Sequence, residues 1–307
     1  MQNNLKEKTG NVLKGIPSFI LYLIMFGCSF IFFFPYLKMF VMSFFSAEDL
    51  NNFTVSWIPR NFTLSNYYTA WQFINYLQNA KNTIIVTAIA TVGQLISCAM
   101  TGYALGRYKF KGRGILFAIV LIAMVVPIQT YIVPQYLMYS KIGWLNTYLP
   151  LTGPAFFGYG LKGTFFTYIF MQYFASLPKE LSEAARVDGC GFIKNFIYIM
   201  IPIARSSFLV VFVFALVWHW SDYYEPAMFI SVSSKSMIAA GLENLSYITT
   251  ISADMISESY NVSAETVINN ATLMAGAFMI TLPVLIIFCF LQKQFVQGIE
   301  HTGLTGE

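Results

Sequence analysis

The stretch Glu-Ala-Ala-Arg-Val-Asp-Gly, residues 183–189, lies in a long polar segment between two apolar runs. Residues with good helix propensity continue from Lys179 to Val187. The pair Asp188-Gly189 then provides a stop, because glycine adopts the left-handed conformation at a helix C-terminus without steric cost. The stretch therefore predicts a short helix that ends at Gly189, outside the apolar runs.

A second helix is predicted directly after this turn. Its apolar positions recur at intervals of three to four residues and so share one helix face: Phe192, Phe196, Ile199 and Met200. Pro202 is expected to break this helix before the next apolar run. The spacing leaves two interpretations open, an amphipathic helix lying on lipid or a helix that docks into a soluble partner.

The composition on both sides of this segment is that of a membrane protein. Of the 307 residues 57% are hydrophobic and only 10% are charged, whereas a soluble domain carries about 25% charged residues. One core of ordinary size cannot hide so much apolar surface, so lipid is the expected partner. The net charge of +4 is small and not gathered on one soluble face, so no nucleic acid is expected.

Six apolar runs are long enough to cross a bilayer as helices. They are Ser18–Phe40, Thr83–Leu105, Ile115–Met138, Pro154–Phe174, Phe208–Tyr224 and Leu273–Leu291. The first run contains Pro35 and lacks a small-residue cleavage site, so it is expected to be retained. We therefore predict an all-α polytopic membrane protein with about six transmembrane helices.

Basic residues predict which side of the membrane each loop occupies. Lysines and arginines are concentrated before the first run, in residues 107–113 and in residues 179–205. Cytoplasmic loops carry this excess of positive charge. Both termini and the segment 183–189 are therefore expected in the cytoplasm, with a helix between spans four and five.

The same segment resembles the signature cytoplasmic loop of ABC importer permeases. The matching residues are Glu183, Ala184, Ala185, Asp188, Gly189, Phe196 and Pro202. An aspartate before the glycine, here Asp188, resembles the loop of the carbohydrate-uptake branch, which includes the second permease of the maltose importer. Two residues depart from the family pattern, Cys190 in place of a small residue and Ser206 in place of a second proline.

Other matches extend the resemblance from about Asn79 to Gly303. They are the Tyr-Ala…Arg…Phe…Gly-Arg pattern in residues 103–113, the Pro-x-Gln…Pro…Gly…Asn-Thr pattern in residues 127–147, and residues 295–299. The resemblance divides the chain into a cytoplasmic tail (1–17), a first span with an outer loop (18–78), a permease domain (79–300) and a C-terminal tail (301–307).

The resemblance implies a permease subunit of an ATP-driven sugar importer in a bacterial inner membrane. It implies four kinds of partner: a homologous permease, two ATP-binding cassette subunits, an extracytoplasmic sugar-binding protein and membrane lipid. The segment would be a coupling helix that enters a cleft on the ATPase. The residues that the resemblance places in this role are Glu183, Ala184, Ala185, Asp188, Gly189, Phe192, Phe196 and Pro202.

Catalytic chemistry is not expected in this chain. The sequence has no Gly-x-x-x-x-Gly-Lys-Ser/Thr phosphate loop, so ATP and magnesium would be used by the partner ATPase and no cofactor bound here. His219 and His301 are the only histidines, and no cysteine pair has metal-ligand spacing. We therefore predict neither catalytic residues nor a metal site.

Candidate residues of a sugar pathway are those that combine aromatic faces with hydrogen-bonding groups. They are Gln94, Gln129, Tyr131, Trp218, His219 and Trp220. Pro127 and Pro134 are expected to loosen the third span beside Gln129, and the two tryptophans fit an interfacial belt equally well.

Charged residues in or near the spans are few. Lys38 and Lys162 are expected to snorkel to the interface, and Asp222 and Glu225 to lie at the water boundary.

Two alternatives remain. An ABC permease for another solute, such as glycerol phosphate, a polyamine or a peptide, fits the same loop. An ion-coupled secondary transporter would need a functional intramembrane charge or an inverted repeat, and the sequence indicates neither.

Overall fold

The structure is a computed structural model that describes residues 2–50, 52, 54–250 and 268–303. All regular secondary structure in these ranges is helical. The predicted all-α class is therefore confirmed for the described part of the chain. Residues 251–267, within the segment 231–272, lie outside the described residues.

Fifteen α-helices are numbered here in chain order. They are α1 (Gln2–Met42), α2 (Ala47–Leu50), α3 (Ser65–Ile74), α4 (Tyr76–Arg107), α5 (Arg113–Val125), α6 (Ile132–Lys141), α7 (Leu149–Thr152), α8 (Gly160–Ser176), α9 (Glu180–Val187), α10 (Phe192–Asn195), α11 (Ile201–Ile203), α12 (Arg205–Trp220), α13 (Tyr224–Phe229), α14 (Ile238–Thr249) and α15 (Asn270–Gly303). Short 3₁₀ turns cover Ile128–Thr130, Pro154–Phe157 and Ser233–Lys235, and Phe196–Met200 is π-helical.

Three helices in the described ranges are long and apolar enough to cross a membrane: Phe19–Met42, Tyr76–Arg107 and Asn270–Phe295. A fourth span results if the bent pair Phe192–Ile203 and Arg205–Trp220 is taken as one. The first, second and sixth predicted runs thus coincide with long helices. The number six and the cytoplasmic position of both termini stay predictions.

The third predicted run is two helices rather than one. Helix α5 ends at Val125, and Val126 is extended because it precedes Pro127. A 3₁₀ turn follows before α6. Pro134 does not loosen the run, because it lies in the first turn of α6, where backbone N–H groups have no partner within the helix. The predicted loosening therefore comes from Pro127 alone.

The chain forms two compact units. The first comprises Met1–Ala70 and Ile248–Met279, and the second comprises Trp71–Tyr247 and Ile280–Glu307. In the first unit the buried Asn66 amide donates to the carbonyl oxygens of Ser43 and Phe45, at 2.9 and 2.8 Å. These bonds satisfy backbone groups that follow the end of α1.

The second unit is built around the packing of α4 against α8 and α12. Its core combines small residues on α4 and α12 with aromatic residues on α8. The fully buried rings are Tyr103 of α4 and Phe166, Phe170 and Phe174 of α8. These large side chains fit because the facing positions on α4 and α12 are cysteine, alanine and valine.

Two glycines let α4 approach α8 closely. A Cβ atom at Gly102 would lie 2.6 Å from the Phe170 Cβ atom and 2.8 Å from the Met171 backbone nitrogen. A Cβ atom at Gly106 would lie 2.7 Å from the Met171 carbonyl oxygen. Their spacing of four residues is the small-residue pattern by which membrane helices pack backbone to backbone.

We predict that Gly102→Ala lowers the unfolding temperature of the detergent-solubilised protein by several degrees, although alanine favours a helix by about 1 kcal/mol over glycine. The added methyl must displace backbone of α8, which is not a flexible neighbour. Gly114→Ala is the matched control, since a Cβ atom there meets nothing within 4 Å. Equal unfolding temperatures for the two variants would contradict the close approach.

Candidate functional site

A cavity of about 330 Å³ lies within the second unit. It is bounded by α4, the region of α6 and α7, the start of α8, and the chain that leaves α12. Its volume falls in the range of small-molecule sites, which are apolar or aromatic with a few placed polar groups. The aromatic part of the wall includes Tyr131, Tyr159 and Trp218.

Three charged side chains form one wall of this cavity. The Lys162 ammonium, in the first turn of α8, forms an ion pair with the Asp222 carboxylate and lies 3.2 Å from Glu225 Oε2. The side chains of Lys162, Asp222 and Glu225 are 16%, 13% and 26% exposed. Burial raises the pKa of Glu225 to about 7, although the Lys162 ammonium acts in the opposite direction.

The expectation that Lys162 snorkels to an interface is wrong. The start of α8 faces the segment that follows α12, so Lys162 binds Asp222 and Glu225 instead. The two acids are likewise not simply placed at a water boundary, because both serve as partners of the lysine. Ion pairing inside a polar cavity offsets the desolvation of each charge.

Neutral polar groups complete the wall. The Gln94 Oε1 atom on α4 lies 2.9 Å from the His219 Nε2 atom on α12, which joins the two helices. Gln135 of α6 is only 7% exposed, and its Nε2–H donates to the Tyr139 hydroxyl at 2.7 Å. Its Oε1 atom has no hydrogen-bond partner among the residues that the structure describes.

The structure brings four of the six predicted pathway residues to the cavity: Gln94, Tyr131, Trp218 and His219. Gln129 is exposed in the 3₁₀ turn after Pro127 and does not line it. Trp220 is buried elsewhere, and its indole N–H donates to the Ile280 carbonyl at 3.0 Å. Trp220 is therefore a packing residue in this structure.

Sequence reasoning missed the charged wall and Gln135. Asp222 and Glu225 stand three residues apart, which places them near each other. Lys162 is remote in sequence, and nothing local indicates that it meets them. Only the packing of α8 beside α12 shows the three charges to be one group.

Residues 183–189 form the helix end and the stop that their sequence predicts. Helix α9 covers Glu180–Val187, and Gly189 follows with φ +77°. The backbone N–H groups of Gly189 and Cys190 donate to the carbonyl oxygens of Arg186 and Ala185, at 3.1 and 2.9 Å. These bonds satisfy carbonyls that the helix end would otherwise leave free.

The aromatic stripe after Gly189 faces mainly into the protein. The Phe196 ring is buried and stacks on Tyr103, with ring centroids 5.1 Å apart, and Met200 is fully buried. Phe192 is partly exposed, with its ring centroid 4.9 Å from that of Tyr103. The stripe therefore attaches this loop to α4 and α8.

The predicted break before the next apolar run is present, but it falls at Ala204, two residues after Pro202. The chain bends there by 81°, between Ile203 and Arg205. Pro202 itself lies in α11, which follows the π-helical turn Phe196–Met200.

The eight residues proposed for coupling divide by exposure. Ala185 and Phe196 are buried within the chain, so a partner protein does not reach them. The remaining six have exposed surface: Glu183, Ala184, Asp188, Gly189, Phe192 and Pro202. Next to them, Val187 is 87% exposed, which gives α9 an apolar side chain open to a partner.

Arg107 holds this loop to the end of α4. Its guanidinium donates to the carbonyl oxygens of Leu177 and Pro178, at 2.6 and 2.7 Å, and to the Ser182 hydroxyl at 2.8 Å. Two backbone acceptors and a side chain at the start of the loop thus share one donor group. Sequence reasoning included Arg107 in a family pattern without assigning it this role.

Long apolar helices are typical of a membrane protein, and in this chain a cavity lies beside α4, the start of α8 and the end of α12. Residues 98–301 match the family described as binding-protein-dependent transport system inner membrane component. The chain belongs to this family.

Relatives match over nearly the whole chain. It is 28% identical over 308 residues to the arabinooligosaccharides transport system permease protein AraQ of Halalkalibacterium halodurans, covering 98% of this chain and 100% of that protein. It is 28% identical over 261 residues to the maltodextrin transport system permease protein MdxG of Bacillus subtilis, covering 85% of each chain.

A solved structure shares the fold. It is a bacterial ABC transporter involved in the import of the acidic polysaccharide alginate, and one of its chains matches with a TM-score of 0.69 at 19% identity. The match covers 91% of this chain and 96% of that chain. The predicted resemblance to sugar-importer permeases is confirmed.

We predict that Lys162→Gln destabilises the protein, because Asp222 and Glu225 then lose their cation. Removing one member of a fully buried ion pair costs about 3–5 kcal/mol, and we expect about 1–3 kcal/mol for these partly exposed groups. Thermal unfolding in detergent measures the change. The triple variant Lys162→Gln, Asp222→Asn, Glu225→Gln should recover part of the loss. An unchanged unfolding temperature for Lys162→Gln alone would show that the pairs contribute nothing.

Proposed function

We propose that this chain is a permease subunit of a bacterial ATP-driven importer of oligosaccharides. It would form the translocation pathway with a partner permease and couple to a separate ATPase. The observation that carries the proposal is the cavity between α4, α8 and the end of α12, in a chain of this transport family. The names of the two relatives, which refer to arabinooligosaccharides and maltodextrin, support a sugar as cargo.

The cavity offers what a sugar needs. A sugar presents apolar C–H faces and hydroxyl edges. Tyr131, Tyr159 and Trp218 supply aromatic surface for the faces. The Glu225 carboxylate and the Tyr131 and Tyr159 hydroxyls supply hydrogen-bonding groups for the hydroxyl edges. A site with both kinds of group fixes the orientation of a polar ligand while burying much of its surface.

Energy would enter through the loop that begins at Pro178. In this proposal a sugar-binding protein delivers the cargo, and two ATPase subunits hydrolyse ATP with magnesium and move the loops of the two permeases. The exposed face of α9 would meet the ATPase. Arg107 and the Tyr103–Phe196 stack support this route, because they link the loop to α4, which also lines the cavity.

One observation favours a second candidate, an ion-coupled transporter. Lys162, Asp222 and Glu225 place ionisable groups in the cavity wall, and such groups serve proton and ion coupling in other transporters. Family membership favours ATP coupling. A permease for glycerol phosphate, a polyamine or a peptide is the remaining alternative for the cargo.

Uptake measurements separate these candidates. Cells that carry the whole gene cluster are given labelled oligosaccharides, and intact cells are compared with ATP-depleted cells and with uncoupled cells whose ATP is maintained. We expect uptake to require ATP and to survive the uncoupler. Uptake that stops with the uncoupler while ATP is held up would replace the proposal with ion coupling.

We predict that Gly189→Val abolishes most ATP-driven uptake while the protein still inserts. A valine at φ +77° is strained, so the turn after α9 must change and displace the docking face. No neighbouring atom lies within 4 Å of a Cβ atom there, so the effect is one of backbone conformation. Uptake per inserted protein is the readout.

Gly191→Val is the matched control for this variant. Gly191 has φ −71° and ψ 175°, a conformation that valine adopts, and its Cβ position is equally open. Its uptake should stay near that of the wild type. Normal uptake by Gly189→Val at normal membrane levels would contradict the role of the turn.

A further inference from the structure

We infer that the cavity selects uncharged sugars against sugars that bear a carboxylate or a phosphate. The inference rests on the proposed function and narrows its substrate class. It is drawn from the arrangement of charge and of free hydrogen-bonding atoms around the cavity in the second unit.

Among the described residues, no free cation lines the cavity to receive an anion. Lys162 is the only lysine or arginine among the described residues that line it. Its ammonium is already shared between Asp222 and Glu225. An anionic ligand would have to displace one of these carboxylates from Lys162. Asp222 and Glu225 lie 60 and 63 residues from Lys162 in the sequence, and the packing of α8 against α12 holds them beside it.

Glu225 is the charged group of this wall that a ligand reaches most easily. The Glu225 side chain is 26% exposed beside the cavity, compared with 16% for Lys162 and 13% for Asp222. Sugar hydroxyls donate to its carboxylate oxygens, whereas an ionised carboxylate or phosphate on the ligand offers only further acceptors.

The aromatic part of the wall adds no positive charge. The rings of Tyr131, Tyr159 and Trp218 line the cavity and offer apolar surface to the C–H groups of a sugar ring. Two features therefore disfavour an anionic ligand: the single cation is already paired, and the most exposed of the three charged groups is an acid.

Fold alone does not decide this selectivity. The solved importer that shares the fold is named for an acidic polysaccharide, whereas two relatives are named for transport of arabinooligosaccharides and maltodextrin. The charge balance of this cavity is a property of its own side chains, so it distinguishes members that share one fold.

Sugar binding to the purified membrane complex tests the inference. The complex contains both permeases and both ATPase subunits in lipid nanodiscs, and the sugar-binding protein is left out. The probes are trisaccharides of arabinose, glucose and galactose, each paired with the same sugar oxidised to a carboxylate at its terminal primary alcohol. For the pair that binds best, we expect the uncharged sugar to bind about tenfold tighter or more. The preference should weaken at high salt, because screening reduces the repulsion.

Glu225→Gln tests the origin of the preference. This variant removes one carboxylate and keeps the side-chain shape. The ratio of the affinities for the uncharged and the oxidised sugar should therefore fall several-fold. Glu243→Gln is the matched control, since Glu243 is an exposed residue of α14 that does not line the cavity. An unchanged preference in a folded Glu225→Gln complex would overturn the inference.

The comparison of each sugar with its oxidised form on the wild-type complex tests the inference without any variant. Equal or tighter binding of the oxidised sugar would overturn the charge selectivity and leave the proposed sugar transport intact. Binding of neither member of any pair would overturn the proposed sugar function together with this inference.

Discussion

The backbone contact of α4 with α8 is the constraint from which the rest of the second unit follows. Gly102 and Gly106 leave no side chain between the two helices, so the aromatic residues of α8 reach past α4 into the core. At one end of this contact, Arg107 of α4 binds the start of the loop that contains α9. Towards the other end, Gln94 reaches His219 at the cavity. One close helix pair thus connects the two places where function is proposed.

Local chemistry explains what the sequence could predict. Helix α9 and its stop depend on helix formers followed by Asp188-Gly189, and a glycine with φ +77° stands where that chemistry requires it. The long helices follow in the same way from apolar length. The break at Pro127 was also foreseeable, because a proline restricts itself and the residue before it.

Contacts between remote residues explain what the sequence could not predict. The stripe at Phe192, Phe196 and Met200 was visible, but its direction depends on whether a neighbour such as Tyr103 lies beside it. The pairing of Lys162 with the acids after α12 depends equally on tertiary packing. Pro202 shows the limit for a single residue, since the break that it predicts falls two residues later, at Ala204.

The charged wall has a consequence for how the cavity changes shape. Lys162 joins the start of α8 to the segment after α12 through two carboxylates, and Gln94 joins α4 to α12 through His219. Breaking either link would expose a charge or a polar group to a poorly solvating environment, which is costly. A transport cycle that opens this cavity is therefore expected to move the middle of α4, the start of α8 and the end of α12 together, and to change access elsewhere. The broken third run offers such a place, because α5 and α6 are joined by a short turn at Pro127 and not by a continuous helix. Side-chain links therefore hold one wall of the cavity, whereas the break at Pro127 lies next to Ile128 and Tyr131 on another wall.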